Sequence, residues 1–221
     1  MITVAIGDVH GMSALLDQLL REIGGIASME GSRPPQLVFL GDYVDRGPDS
    51  RGVMRRLQAL WSDGAVCLRG NHEEMMANCE RGLYEKSKFL ANGGFQTLAS
   101  YAGREDEFAA HQHWASTLPT SHEDALRIFV HAGVRPNIAL GEQSDDDKMW
   151  IRGEFLRYPG PFQKYVVHGH TPNLAPSREE SSADVRENRC NLDTGACYGG
   201  TLSAAFFNDR EAKPFHWISV R

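Results

Sequence analysis

"QLVFLGDYVDRG", residues 36–47, joins an apolar run to a glycine, two acids and an arginine. Gln36 to Leu40 reads as a buried strand, and Gly41-Asp42 turns the chain at its end. Charge placed just past a buried strand is unfavourable unless it finds a partner. Working outward, the same alternation recurs on both sides. Ile2 to Ile6 is a short apolar strand. Leu15, Leu16, Leu19, Leu20 and Ile23 then follow at helical spacing, with Gly24-Gly25 as the expected stop. Gly31 to Pro35 reads as a loop. Val53, Leu57 and Leu60 mark a second helix, and Ala65 to Leu68 a third strand. This βαβαβ order predicts parallel strands with right-handed crossovers and an α/β (α+β) class.

From about residue 72 to 118 the pattern is helical, with Phe89, Leu90, Phe95, Leu98 and Tyr101 as one apolar face interrupted by Asn92-Gly93-Gly94. Ile128–Val130, Tyr165–Val167 and Cys190–Leu192 read as further strands. Leu202–Phe207 and Phe215–Val220 read as closing antiparallel strands. Ser177 to Glu187 reads as an exposed polar loop, and Asp145-Asp146-Asp147 as a solvated loop or helix start. Residues 1–221 are expected to form a single domain.

The 221 residues carry a formal charge of -6, which argues against a general nucleic-acid binder. No stretch has the length of a bilayer-spanning segment, and "MITVAIGDVHG" has no basic leader. The expected setting is therefore the cytoplasm, without a membrane partner. The scattered Cys67, Cys79, Cys190 and Cys197 then read as reduced, buried fillers.

Five strand ends share one polarity. They read Gly7-Asp8-Val9-His10-Gly11, Gly41-Asp42, Arg69-Gly70-Asn71-His72-Glu73, Val130-His131-Ala132-Gly133 and Val167-His168-Gly169-His170-Thr171. Ligands of open α/β sheets bind beyond the carboxyl ends of the strands. One such Asp is usually a turn residue, and one such His a hydrogen-bonded structural residue. Five together form an oxygen-and-imidazole set without thiolate, suited to manganese, iron or zinc. The set is too large for one ion and sufficient for two, an arrangement that clamps a phosphoryl displacement.

GDVHG (7–11), GDYVDRG (41–47), RGNHE (69–73), HAG (131–133) and HGHTP (168–172) resemble the calcineurin-like metallophosphoesterases, and more narrowly the phosphoprotein (serine/threonine) phosphatases. "FLANGGFQTL" and "LDTGA" (192–196) are similar to the bacterial, lambda-phosphatase-like branch. The resemblance implies two packed mixed β-sheets flanked by helices. Asp8 and His10 would hold a first metal, Asp42 would bridge, and Asn71, His131 and His170 would hold a second. Both ions would be divalent, manganese being expected and iron or zinc the alternatives. A hydroxide between them would attack phosphorus directly. Arg46, Asn71 and a second arginine would bind the phosphate. Arg152 in "MWIRGEF" is the candidate for that arginine, with Arg135 and Arg157 competing. His72 would be the general acid, held protonated by Asp45. The implied substrate is a phosphorylated protein or small phosphoester, with phosphoserine and phosphothreonine first and phosphotyrosine after them. Hydrolysis of symmetric dinucleoside polyphosphates is the alternative, and a non-catalytic scaffold a remote one. His168, beside the expected ligand His170, reads as structural or as a support behind the ligands, and His111, His113 and His216 receive no role. Ala196-Cys197-Tyr198-Gly199-Gly200 stands where the eukaryotic relatives carry their tyrosine-bearing loop.

Overall fold

The structure, a computed structural model, describes residues 2–29 and 34–221. The chain begins β1 (Thr3–Ile6), α1 (Ser13–Met29), β2 (Gln36–Phe39), α2 (Ser50–Ser62) and β3 (Val66–Cys67). β1 and β2 pair in parallel, as do β2 and β3, as the βαβαβ reading predicted. α1 does not stop at Gly24-Gly25 but continues to Met29. Ile23 is buried and Ile26 packs against the same core, so tertiary burial outweighs about 1 kcal/mol of helix propensity lost per glycine. The loop expected at Gly31 to Pro35 falls largely outside the described residues. Asp49 caps α2, its side chain accepting the Gly52 N–H.

The middle is helical: α3 (Asn71–Asn78), α4 (Leu83–Phe89), a π-helical turn (Leu90–Gly94), α5 (Phe95–Ser100) and α6 (Glu105–Thr117). The expected single apolar face is not formed. Phe89 and Tyr101 are buried, whereas Phe95 is 65% exposed and Thr97 lies fully inside. The π turn carries Gly93 at φ +107° and rotates α5 out of phase with α4.

The second half supplies β4 (Ser121–Glu123), β5 (Arg127–Val130), α7 (Asp145–Trp150), α8 (Gly153–Leu156), β6 (Tyr165–His168), β7 (Asp184–Val185), β8 (Arg189–Asn191), β9 (Leu202–Phe207) and β10 (His216–Val220). Strands β4 and β7 were not legible in sequence; β7 lies within the stretch expected to be an exposed loop. The acidic run Asp145–Asp147 is the first turn of α7, where it complements the helix dipole.

Two five-stranded sheets result, ordered β10-β9-β1-β2-β3 and β4-β5-β6-β8-β7. Ala5, Val38, Leu40 and Leu68 of the first face Phe129, Val167, Cys190 and Leu192 of the second, forming a dry layer between them. Phe129 and Phe207 meet edge to face across it, with centroids 6.0 Å apart. Helices α1, α2, α3 and α6 cover the outer face of the first sheet, and α8 packs Phe155 on the second. Cys67, Cys79 and Cys190 are buried free thiols, and Cys197 is half-buried. Among the described residues, no helix is long and apolar enough to cross a membrane.

Candidate metal centre

The residues following β1, β2, β3, β5 and β6 meet at one edge of the sandwich. Asp8, His10, Asp42, Asn71, His72, His131 and His170 are all buried there, at 4% exposure or less. The turns that bring them in are tight. His10, Asp42, Asp45, Arg46 and His170 all adopt positive φ, between +43° and +72°. Each such residue costs on the order of 1–3 kcal/mol, tolerated where surrounding contacts over-determine the backbone. Here the contacts are explicit. Val9 and His10 N–H both donate to the Asp42 carbonyl, at 3.1 and 2.8 Å. Gly41 sits at φ +104°, and a Cβ on it would lie 2.8 Å from His131 Nδ1.

Four donor atoms converge on one point. His131 Nε2 lies 2.9 Å from Asn71 Oδ1, 3.2 Å from His170 Nδ1 and 3.2 Å from Asp42 Oδ1. His170 Nδ1 is 2.9 Å from Asn71 Oδ1. On the other side of Asp42, His10 Nε2 lies 3.4 Å from Oδ2. Two groups could each hold an ion: His10, Asp42 and His72, and Asp42, His131 and His170. Asp42 belongs to both, the position expected of a bridging carboxylate.

The donor set fits metal ions for three reasons. First, His10 Nδ1 and His131 Nδ1 each face a backbone carbonyl, Val44 at 2.8 Å and Leu40 at 2.9 Å. Those nitrogens must carry the proton, so in the neutral ring each Nε2 lone pair faces the cluster. Second, Asp8 Oδ2 accepts the His170 N–H at 2.9 Å, while its buried Oδ1 has no partner among the described residues. Third, burial and the neighbouring Asp193 and Asp42 push Asp8 well above the ordinary carboxylate range, a cost that a cation would remove. Asp42 behaves oppositely. Burial would raise it, but His131 and His72 hold it well below the usual value. His10 and His170 are lowered chiefly by burial, which keeps them neutral and able to ligate. The sequence placed Asp8 in the first set. The tight first group contains His72, whose Nε2 is 3.8 Å from Asp42 Oδ2; Asp8 is not in it, and its unpartnered Oδ1 lies 2.0 Å from where a Cβ on Gly169 would stand.

His72 Nδ1 and Asp45 Oδ2 are 2.6 Å apart, and both residues are fully buried. Burial raises Asp45 to about 8 and lowers His72 to about 4, disfavouring the charged form of each. Arg46 places Nη1 2.5 Å from His10 Nε2, and Arg152 places Nε 3.0 Å from His170 Nε2. The guanidiniums thus approach the cluster from its two sides. Of the competing arginines, Arg135 is held by Asp147 and Glu154. Arg157 lays its guanidinium beside Gly153, within its own helix end. His168 lies inside with its ring edge-on to Phe155, centroids 4.8 Å apart.

Four residues near the cluster received no role from sequence. Glu73 is fully buried and accepts the N–H groups of Asp42, Tyr43, Val44 and Gly70, so it fixes the loop that carries Asp42. Burial and the neighbouring Asp42 raise it to about 7. Asp193 stands close enough to Asp8 to raise it. Tyr198 lies under Arg46, 5.4 Å from ring centroid to guanidinium carbon. Thr97 contacts Asp45. All four fall in or beside sequence blocks that carried the family resemblance, but nothing in spacing revealed their contacts.

The calcineurin-like phosphoesterase model matches residues 1–201. The chain is 28% identical to an asymmetrical bis(5'-nucleosyl)-tetraphosphatase of Oceanobacillus iheyensis, over 93% of this chain and 88% of that one. It is equally 28% identical to serine/threonine-protein phosphatase 1 of Salmonella typhimurium, over 90% and 89% of the two chains. A crystal structure whose assignment as a diadenosine tetraphosphatase is itself provisional superposes with TM-score 0.68 at 25% identity, covering 99% of this chain and 92% of that one. With the sandwich, the two-sided histidine–carboxylate cluster and a match along nine-tenths of its length, the chain belongs to the calcineurin-like phosphoesterase family, whose members bind a dinuclear metal centre.

Proposed function

We propose that the protein is a metal-dependent phosphomonoesterase that releases phosphate from phosphoserine and phosphothreonine, with phosphotyrosine a further substrate. The observation that carries this reading is the buried His72–Asp45 pair, 2.6 Å long, beside Asp42. A serine alkoxide is a poor leaving group and needs a proton delivered as the P–O bond breaks. A phosphoanhydride leaves as a phosphate oxygen and needs that help far less. Asp8, His10, Asp42, Asn71, His131 and His170 would hold two divalent ions, with manganese preferred and iron or zinc as alternatives. Bound there, the ions would supply a water of lowered pKa and neutralise charge on the phosphate oxygens.

The chain's own residues divide the remaining work. His72 is the general acid through its Nε2 proton, and Asp45 holds its ring; because burial disfavours the charged form of each, the two share one further proton between Asp45 Oδ2 and His72 Nδ1. Arg46 and Arg152 fork the phosphate oxygens from opposite sides, and Asn71 contacts phosphate while ligating. Hydrolysis of dinucleoside polyphosphates is the second reading, favoured by the likeness to the bis(5'-nucleosyl)-tetraphosphatase. The discriminating experiment compares kcat/KM for a phosphoserine peptide and for diadenosine tetraphosphate with the manganese-loaded protein. An advantage of about tenfold or more for the peptide is expected. The reverse preference transfers the function to the second reading, and a metal-loaded protein inert toward both is a scaffold.

Arg46→Ala is expected to lower kcat/KM by about 10- to 100-fold, the loss of a charge-assisted fork. Inhibition by inorganic phosphate should weaken in parallel. Unchanged phosphate inhibition would show that Arg46 serves only to pack against Tyr198.

A further inference from the structure

Asp45 is held by more than His72. Its backbone sits at φ +72°, and the residue is wholly buried between the starts of two helices. Thr97, in α5, donates its hydroxyl to Asp45 Oδ1 at 2.6 Å. The Asp45 N–H is shared between Thr97 Oγ1 at 2.9 Å and Ser50 Oγ at 3.0 Å. Ser50 Oγ is 3.0 Å from Thr97 Oγ1. The protons can be placed without conflict. The Thr97 hydroxyl hydrogen points at the carboxylate, so the Ser50 hydroxyl donates to Thr97, and both oxygens accept from the Asp45 N–H. Asp45 Oδ1 is thereby committed to Thr97, which leaves Oδ2 for His72 Nδ1. A carboxylate gripped at both oxygens cannot rotate about its Cβ–Cγ bond, so the imidazole beyond it is fixed as well.

The position of Thr97 depends on the π-helical turn. Gly93, at φ +107°, brings the segment against the Arg46 backbone, whose N–H donates to the Gly93 carbonyl at 3.3 Å. A Cβ on Gly93 would lie 2.6 Å from that same Arg46 nitrogen. The π-helical turn and α5 together therefore brace both the acid–carboxylate pair and the arginine next to it.

We propose that Thr97 is a positioning residue for phosphoester cleavage: through Asp45 it fixes the His72 ring at the edge of the metal cluster. This rests on the reading of His72 as the general acid, and the experiment separates the two. Thr97→Val keeps shape and removes the hydroxyl; Thr97→Ser keeps the hydroxyl. Both are assayed as manganese-loaded full-length protein on aryl phosphates whose phenols span poor to good leaving groups. For Thr97→Val, kcat should fall about tenfold on phenyl phosphate and much less on p-nitrophenyl phosphate, the cost of one buried hydrogen bond. KM and bound metal should be unchanged, and Thr97→Ser should restore kcat. His72→Asn is run in the same series. If its loss does not depend on the leaving group, the acid assignment fails. If its dependence is steep while Thr97→Val matches the parent, the positioning role alone fails. A loss in Thr97→Val that is equal across the series and unrestored by Thr97→Ser also overturns the proposal. Should Thr97→Val not fold, Thr97→Ala is read in its place. The far-downfield resonance expected of the His72 Nδ1 proton gives a readout independent of turnover. It should shift in the Thr97 variant that lacks the hydroxyl, and an unmoved resonance counts against the tie.

Discussion

Asp42→Asn should reduce turnover by about 10³-fold or more and leave the chain folded. Among the described residues, Asp42 is the one carboxylate shared by both groups of potential metal ligands. Its Oδ1 is 3.2 Å from His131 Nε2, and its Oδ2 is 3.4 Å from His10 Nε2. Replacing one oxygen by an amide removes a charge and a donor from both sides at once. Metal-based stabilisation of a phosphoryl transition state is worth several kcal/mol, and each ~1.4 kcal/mol is a factor of ten. The fold should survive, because asparagine tolerates the φ of +55° at this position about as well as aspartate. The Glu73 carboxylate also still grips the backbone around it. Elemental analysis of the purified variant should show less metal per chain than the parent at equal manganese. A variant that retains two ions and more than a few per cent of activity would show that Asp42 does not bridge.

His72→Asn should leave metal content unchanged and slow turnover of phenyl phosphate by about 10²–10⁴-fold, the range for loss of a general acid. The reason is geometric. His72 Nδ1 is spent on Asp45 at 2.6 Å, so only Nε2 faces the cluster, 3.8 Å from Asp42 Oδ2. A leaving oxygen departing on that side meets a nitrogen whose ring cannot turn away. The penalty should shrink as the leaving phenol becomes more acidic and needs less protonation. Loss of metal from the variant would instead make His72 a ligand, as its place in the tight group with His10 and Asp42 allows.

The chemistry of the site was written along the chain. Asp8, His10, Asp42, Asn71, His131 and His170 each follow an apolar run, and an apolar run that ends in glycine and a polar residue can be recognised locally. The βαβαβ order was legible for the same reason, since β1, β2 and β3 each carry their own hydrophobic signal. Strand β4 was not, because Ser121-His122-Glu123 is polar and held as an edge by pairing with β5. Local glycines also misled. Gly24-Gly25 reads as a stop, yet α1 runs through it because Ile23 and Ile26 find a core that sequence cannot see.

What the sequence by itself determined is which groups gather: the residue types at strand ends, the parallel order that brings those ends to one edge, and hence a histidine–carboxylate cluster suited to two cations. Only the tertiary structure decided how they are aimed. It set Arg152 beside His170 and gave Arg135 to Asp147 and Glu154. It set the histidine protons through the carbonyls of Leu40 and Val44. It turned Thr97 inward and Phe95 outward by one π-helical turn. Each of these depends on a partner distant along the chain, and a contact at such separation leaves no periodicity from which to read it.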